Sequence, residues 1–233
     1  MDRNALKAAF PHTLPVMAGY LALGIAFGIL MDSIGMSVLW TAFSSMAVFA
    51  GSAQMLSVSL IDAAAPLLQV AVLTLVLNFR HLFYGLSLIG QYRDTGWRKP
   101  YLIFGLTDET YAILTATAVP EGVVPGDFYF AVTLLDQLYW VAGSIIGTVA
   151  GSLITFSTEG VDFAMTALFV VLLAEQVKKK ENRIPAAIGL AFAAVSLMLV
   201  GPDKFLIPAL VGITACLLAL QGKGSKEGQV SPP

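Results

Sequence analysis

The sequence predicts an all-α integral membrane protein, a polytopic bundle of six to eight apolar helices. Hydrophobic residues make up 57% of the 233, charged residues 12%, and mean hydropathy is +0.80. Soluble domains carry about 25% charged and 45–50% apolar residues, so this chain could not cover its own surface with polar groups. The apolar runs are also continuous rather than alternating, which suits membrane helices and not a barrel. Read with a window near the ~19 residues of a spanning helix, they separate into eight segments joined by short loops, which makes one transmembrane domain over 1–220.

The first segment, Leu14–Met31, follows Arg3 and Lys7. It superficially resembles a signal peptide, but no small-residue cleavage site follows, so it reads as a retained helix. The second, Val38–Ile61, is interrupted at "FAGSAQ" by Gly51 and Ser52. The third, Pro66–Gly90, carries Asn78, Arg80 and His81 in mid-run; the fourth, Tyr101–Val119, carries "TDETY". The fifth, Phe128–Phe156, bears Asp136 and then a glycine stripe, "GSIIGTVAG". The sixth, Val161–Val177, is short and ends in "LAEQ", and Ile184–Val200 and Phe205–Leu220 are plain apolar runs. The polar, Gly- and Pro-rich tail 221–233 is expected to be disordered.

Loop charge tests whether all eight cross. The N-terminus, the "QYRDTGWRKP" and "KKKENR" loops and the tail are basic, whereas "PEGVVPGD" carries only Glu121 and Asp127. The positive-inside rule wants the four basic regions cytoplasmic and tolerates the acidic loop outside. Eight crossings cannot satisfy that. The conflict disappears if the second and sixth segments are broken or re-entrant, giving inverted repeats over 10–119 and 128–220, an arrangement common in secondary transporters.

Composition excludes several functions. A net charge of −2 offers no basic stripe for nucleic acid. One cysteine, Cys216, cannot make an intrachain disulfide, and it forms no recognisable zinc cluster with His12 and His81. There is no phosphate-binding GxxxxGK[ST] loop and no nucleophile–base set. No cofactor, metal or enzymatic activity is expected.

The intramembrane polar residues carry the functional reading. A guanidinium in hydrocarbon costs from about 3 to more than 10 kcal/mol, so Arg80 needs a partner, and Asp108 or Glu109 on the following segment is the obvious one. An ion pair that merely locks two helices is the plainer reading. Against it, His81, Asn78, Tyr84, Thr107 and Tyr111 are more than one lock needs. Glu175, next to Lys178 and Lys179, fits an interfacial ion pair. Asp136 has no neighbouring base: desolvated, it could exchange protons; near the interface, it would simply be hydrated. The break at Gly51 and Ser52, with Gln54 following, exposes backbone N–H groups and a positive dipole end that suit a carboxylate. Substrate-binding candidates are therefore Gly51, Ser52, Gln54, Asn78, Tyr84, Thr107 and Tyr111, with Arg80, His81, Asp108, Glu109 and Asp136 as the polar and proton-coupling set. An anion site, acids for an ammonium and aromatics for an apolar side chain together suit an apolar amino acid.

"GIAFG", "FAGSAQ", "NFRHLFYG" and "TDETY", in this order and spacing, resemble the AzlC family of branched-chain amino acid exporters, over nearly the whole chain. The resemblance implies efflux of leucine, isoleucine and valine, sometimes methionine, across a bacterial inner membrane. It also implies a partner, a small hydrophobic AzlD-type subunit encoded separately. The rival reading is a passive channel for a small polar solute that uses the same residues as a filter.

Overall fold

A computed structural model describes residues 3–153 and 183–201, with further positions between 170 and 217. The chain forms two compact units, Met1–Val161 and Asp162–Pro233. The first contains α1 (Arg3–Ser33), α2 (Val38–Ala47), α3 (Gly51–Asp62), α4 (Leu67–Leu88), α5 (Lys99–Phe104), α6 (Asp108–Ala116) and α7 (Pro125–Leu153), with a 3-10 turn at Gly96–Arg98. The second contains α8, Arg183–Val200. No strand occurs among the described residues, and four helices (α1, α4, α7 and α8) are long and apolar enough to cross a membrane. Most of the sixth segment, Glu175, part of the eighth segment and the tail lie outside the described residues.

Two parallel helices form the spine of the first unit. His12 of α1 lies beside Phe128 of α7, Tyr20 beside Trp140, and Gly28 against Ser144 and Thr148. The contacts advance in step along both helices, so they run the same way. Glycines make the approach possible: a Cβ at Gly24 would sit 2.9 Å from the Trp140 carbonyl oxygen, and one at Gly143 would sit 2.9 Å from that of Leu21. Small residues four apart are how membrane helices bring backbones together, and Thr148 adds a 3.1 Å hydrogen bond to the Gly28 carbonyl. Helix α1 starts at Arg3 rather than Leu14 and continues through Pro11 and Pro15, the hydrophobic run having understated its length.

Between these helices the chain makes two broken hairpins. Helix α2 leaves the far end of α1 and reaches mid-depth, where the Gln137 side-chain amide donates to the Met46 carbonyl. The break that follows is held by Phe49, whose φ of +41° is left-handed and strained for a residue with a bulky side chain. Helix α3 returns to the far end, and α4, antiparallel to the spine, brings Leu88 and Tyr92 to the near end beside Phe128 and Tyr129. Helix α5 then enters from that near end, with Arg98 on Asp127 at 2.6 Å and Tyr101 on Gln137 at 2.6 Å. After a break at Gly105–Thr107, α6 returns alongside α4, where Tyr111 stacks on Tyr84 with centroids 4.6 Å apart. At 10 and 12 residues, α2 and α3 reach about 15 and 18 Å, half of a ~30 Å hydrocarbon core.

Two expectations from the sequence change here. The fourth segment is not one span over Tyr101–Val119 but a second broken hairpin. Nor does "PEGVVPGD" lie opposite Arg98, since Asp127 pairs with it. Within Met1–Val161, the second and the fourth segments both enter and leave by the same end. The near end collects Arg3, Lys7, Arg93, Arg98 and Lys99, while the far-end turns carry Asp32 and Asp62 and no basic residue. The positive-inside rule makes the near end cytoplasmic. Single cysteines replacing Trp97 and Val123 are both expected to be labelled from the cytoplasmic side only, and one at Gly35 from outside; labelling of position 97 or 123 by an impermeant reagent in intact cells would overturn this arrangement. The inversion seen relates α1–α3 to α4–α6. Repeats over 10–119 and 128–220 would extend into residues outside those described.

Candidate functional site

The two breaks meet at mid-depth. The Phe49 ring is buried, lies edge-on to Tyr20 with centroids 6.4 Å apart, and comes within 3.8 Å of a Cβ placed on Gly105. Around this crossing stand the first turns of α3 and α6 and the middle of α4.

The Arg80 guanidinium bridges the two hairpins. Its Nη1 lies 2.6 Å from Asp108 Oδ2, and its Nη2 donates to Ser52 Oγ at 3.1 Å. Of the two acids proposed as its partner, Asp108 is the one. Both charged side chains remain partly open, 40% and 34% exposed. Charge that is not buried in the protein cannot face hydrocarbon cheaply, so this opening belongs to a water-filled cavity or a covered face. The terminus of α3 has Ala50 at its cap and no capping side chain. Its positive dipole end and Arg80 thus point at one place.

Helix α6 has the opposite character. Thr107 caps it, accepting from the Thr110 backbone N–H at 3.3 Å, and Asp108 and Glu109 fill its first turn. Acids are favoured there by the dipole, which is why a helix restarts at Asp108 after Gly105. "GLTDET" is a cap signature that the apolar run around it concealed. Glu109 turns away from Arg80, and its Oε2 accepts from the Tyr20 hydroxyl at 2.6 Å. Tyr20 lies 2.7 Å from Thr107 Oγ1, and Thr110 donates at 2.8 Å to Asp136, which is fully buried. Asp136 therefore does not sit hydrated near an interface.

The remaining sequence candidates divide. Tyr84 and Tyr111 stack beside the Arg80–Asp108 pair. His81 turns its Nδ1 to the Asn78 carbonyl at 3.1 Å and its ring edge to Tyr84, so it sits beside the pair. Gln54 is 1% exposed, and its amide is taken up by Ala50 N–H, Trp140 Nε1, Ser44 and Ser45. It holds the first hairpin in shape. Gly51 packs against the Trp140 ring, 3.3 Å from a Cβ built on it. Sequence reasoning missed Tyr20, Thr110 and Trp140, which are buried. Tyr20, one turn before Gly24, was visible as a polar tip on a packing face.

These features define a helical membrane protein with two broken hairpins inverted about a charged centre. The chain belongs to the AzlC family: the family model described as AzlC protein matches residues 15–154. The "Branched-chain amino acid transport protein AzlC" of Bacillus subtilis (strain 168) is 44% identical over 227 residues, 97% of this chain and 89% of that protein. An "Uncharacterized membrane protein" of Helicobacter pylori (strain ATCC 700392 / 26695) is 41% identical over 215 residues, 92% of this chain and 94% of its own length. The "Inner membrane protein YgaZ" of Escherichia coli (strain K12) is 29% identical over 219 residues, covering 89% and 86%. No solved structure matches the chain.

Proposed function

We propose that the protein is a secondary transporter that exports branched-chain amino acids (leucine, isoleucine and valine, with methionine as a further substrate) across the bacterial inner membrane. The observation that carries this reading is the meeting of Arg80 and the α3 terminus with Asp108 across one partly open place. A zwitterion has a carboxylate for the first and an ammonium for the second, and the Tyr84–Tyr111 stack offers apolar surface to its side chain. The name carried by the Bacillus relative points the same way. In this reading Gly51 and Ser52 receive the carboxylate beside Arg80, and Asn78, His81 and Thr107 line the approach. Glu109 and Asp136 handle the driving proton, and a small AzlD-type membrane subunit completes the working unit.

Export against a gradient needs energy, and a proton crossing the field supplies about 2.3 kcal/mol per 100 mV. Bacterial cells loaded with a Leu- or Val-containing dipeptide should release the free amino acid several-fold faster when this chain and its small partner are both expressed. An uncoupler should abolish that difference. Release that survives the uncoupler, and that only equalises concentrations, would replace the exporter by a passive channel.

A further inference from the structure

Asp136 is an unusual place to leave a carboxylate. It is fully buried on α7, Thr110 donates to its Oδ2, and its Oδ1 is buried without a hydrogen-bond partner. Neither of the two salt bridges among the described residues involves it. The titratable groups that face it are Glu109 of α6, Tyr20 of α1 and Tyr101 of α5, none of them a cation. A charged carboxylate desolvated to this extent, with one hydroxyl for company, is far costlier than a neutral acid.

The hydrogen bonds leading away from it form a single file. Thr107 Oγ1 donates to Thr110 Oγ1 at 3.1 Å, and the Tyr20 hydroxyl lies 2.7 Å from Thr107 Oγ1, to which it donates when its proton is turned from Glu109. Glu109 Oε2 lies 2.6 Å from the Tyr20 hydroxyl. Tyr20, Thr107 and Thr110 are 5%, 6% and 0% exposed, whereas Glu109 is half-buried beside the Arg80–Asp108 pair. Three protein hydroxyls thus span the distance from a half-buried acid to a fully buried one by direct contacts; Thr107 and Thr110 donate toward Asp136, and the single Tyr20 proton can turn either to Glu109 or to Thr107.

We propose that Tyr20, Thr107 and Thr110 are a hydroxyl relay that carries a proton between Glu109 and Asp136. A proton bound on Glu109 passes to the Tyr20 oxygen as Tyr20 gives its own to Thr107. Thr107 gives its proton to Thr110, and Thr110 gives its proton to Asp136 Oδ2. Each hydroxyl gains one proton as it loses one. The net change is a carboxylate at Glu109 and a carboxylic acid at Asp136, and rotation of the hydroxyls resets the file. The relay rests on the proton-coupled reading above and extends it to residues that touch no substrate; they position and pass the proton.

The test is infrared spectroscopy of the full-length protein in liposomes, which needs no transport. A carboxylic-acid C=O band should be present at neutral pH and absent in Asp136→Asn. On transfer to heavy water that band should exchange at least about tenfold more slowly in Tyr20→Phe and in Thr110→Val, since losing a positioned proton carrier commonly costs a hundredfold or more. Thr115→Val removes an exposed α6 hydroxyl off the file and should exchange like the wild type. Tyr20→Phe keeps the ring contacts with Phe49 and Trp140; if it does not fold, Thr110→Val carries the comparison alone. Wild-type exchange in the folded variants, or no band lost in Asp136→Asn, overturns the relay. Slowed exchange together with uncoupler-insensitive transport would leave the relay standing and remove the export reading.

Discussion

Replacing Gly147 by valine is expected to leave almost no folded protein in the membrane. A Cβ at Gly147 would overlap the backbone of Ile25, and one at Gly28 would overlap that of Ser144 and Thr148. Those atoms cannot rotate away as a side chain end could. The only relief is to separate α1 from α7, and with them goes the frame on which both hairpins hang. Overpacking a close-packed site commonly costs about 1–3 kcal/mol, and a backbone clash stands at or above the upper end. Separation would also break the Thr148 bond to the Gly28 carbonyl. Membrane abundance and a thermal unfolding curve in detergent provide the measurement. Gly19→Ala is the control, because α1 has open space around that position, and it should fold normally. A Gly147→Val protein as stable as the wild type would mean that α1 and α7 do not pack as described.

Arg80 and Asp108 are expected to fail singly and to be coupled, whereas Arg80 and Glu109 should be additive. The pair meets at 2.6 Å, while Glu109 is engaged by Tyr20. Removing one member of a fully buried pair strands a charge at a cost of about 3–5 kcal/mol. With a third or more of each side chain open, solvent screens much of that, leaving about 1–2 kcal/mol. Transport should then fall roughly tenfold in Arg80→Gln and in Asp108→Asn, because 1.36 kcal/mol is a factor of ten. In thermal stability the double variant should be no worse than either single one, with a coupling energy of about 1 kcal/mol. Transport and thermal stability, measured for the full cycle with both acids, give the answer. Coupling of Arg80 to Glu109 rather than to Asp108 would mean that the first turn of α6 is rotated from the arrangement described.

Much of this was legible in the residues. Apolar runs and sparse charge establish a helical membrane protein by themselves, since nothing else keeps so many apolar side chains out of water. Gly51 and Ser52 announced the first break to within a few residues: the break itself is at Val48–Ala50, around Phe49, and Gly51 and Ser52 open the helix that follows. Arg80 demanded an acid, and the nearest acids inside an apolar segment were those of the next one, Asp108 and Glu109. The glycine spacing of α1 and α7 declared a close packing face.

Tertiary structure decided the rest. Hydropathy averaged over a whole span is blind to a break of three residues, so Tyr101–Val119 read as one span until Thr107 and its cap bond showed a helix restarting. Loop charge alone set Asp127 apart from Arg98, and their 2.6 Å contact returned the two loops to one end. The choice between Asp108 and Glu109 turns on which side of a single helical turn faces α4, about 100° apart on a helix of 3.6 residues per turn. Tyr20 stands 87 positions before Thr107, and Asp136 stands 26 after Thr110. Sequence can say that a buried acid must find a donor. Which donors stand beside it depends on how distant helices pack, and that is a property of the fold.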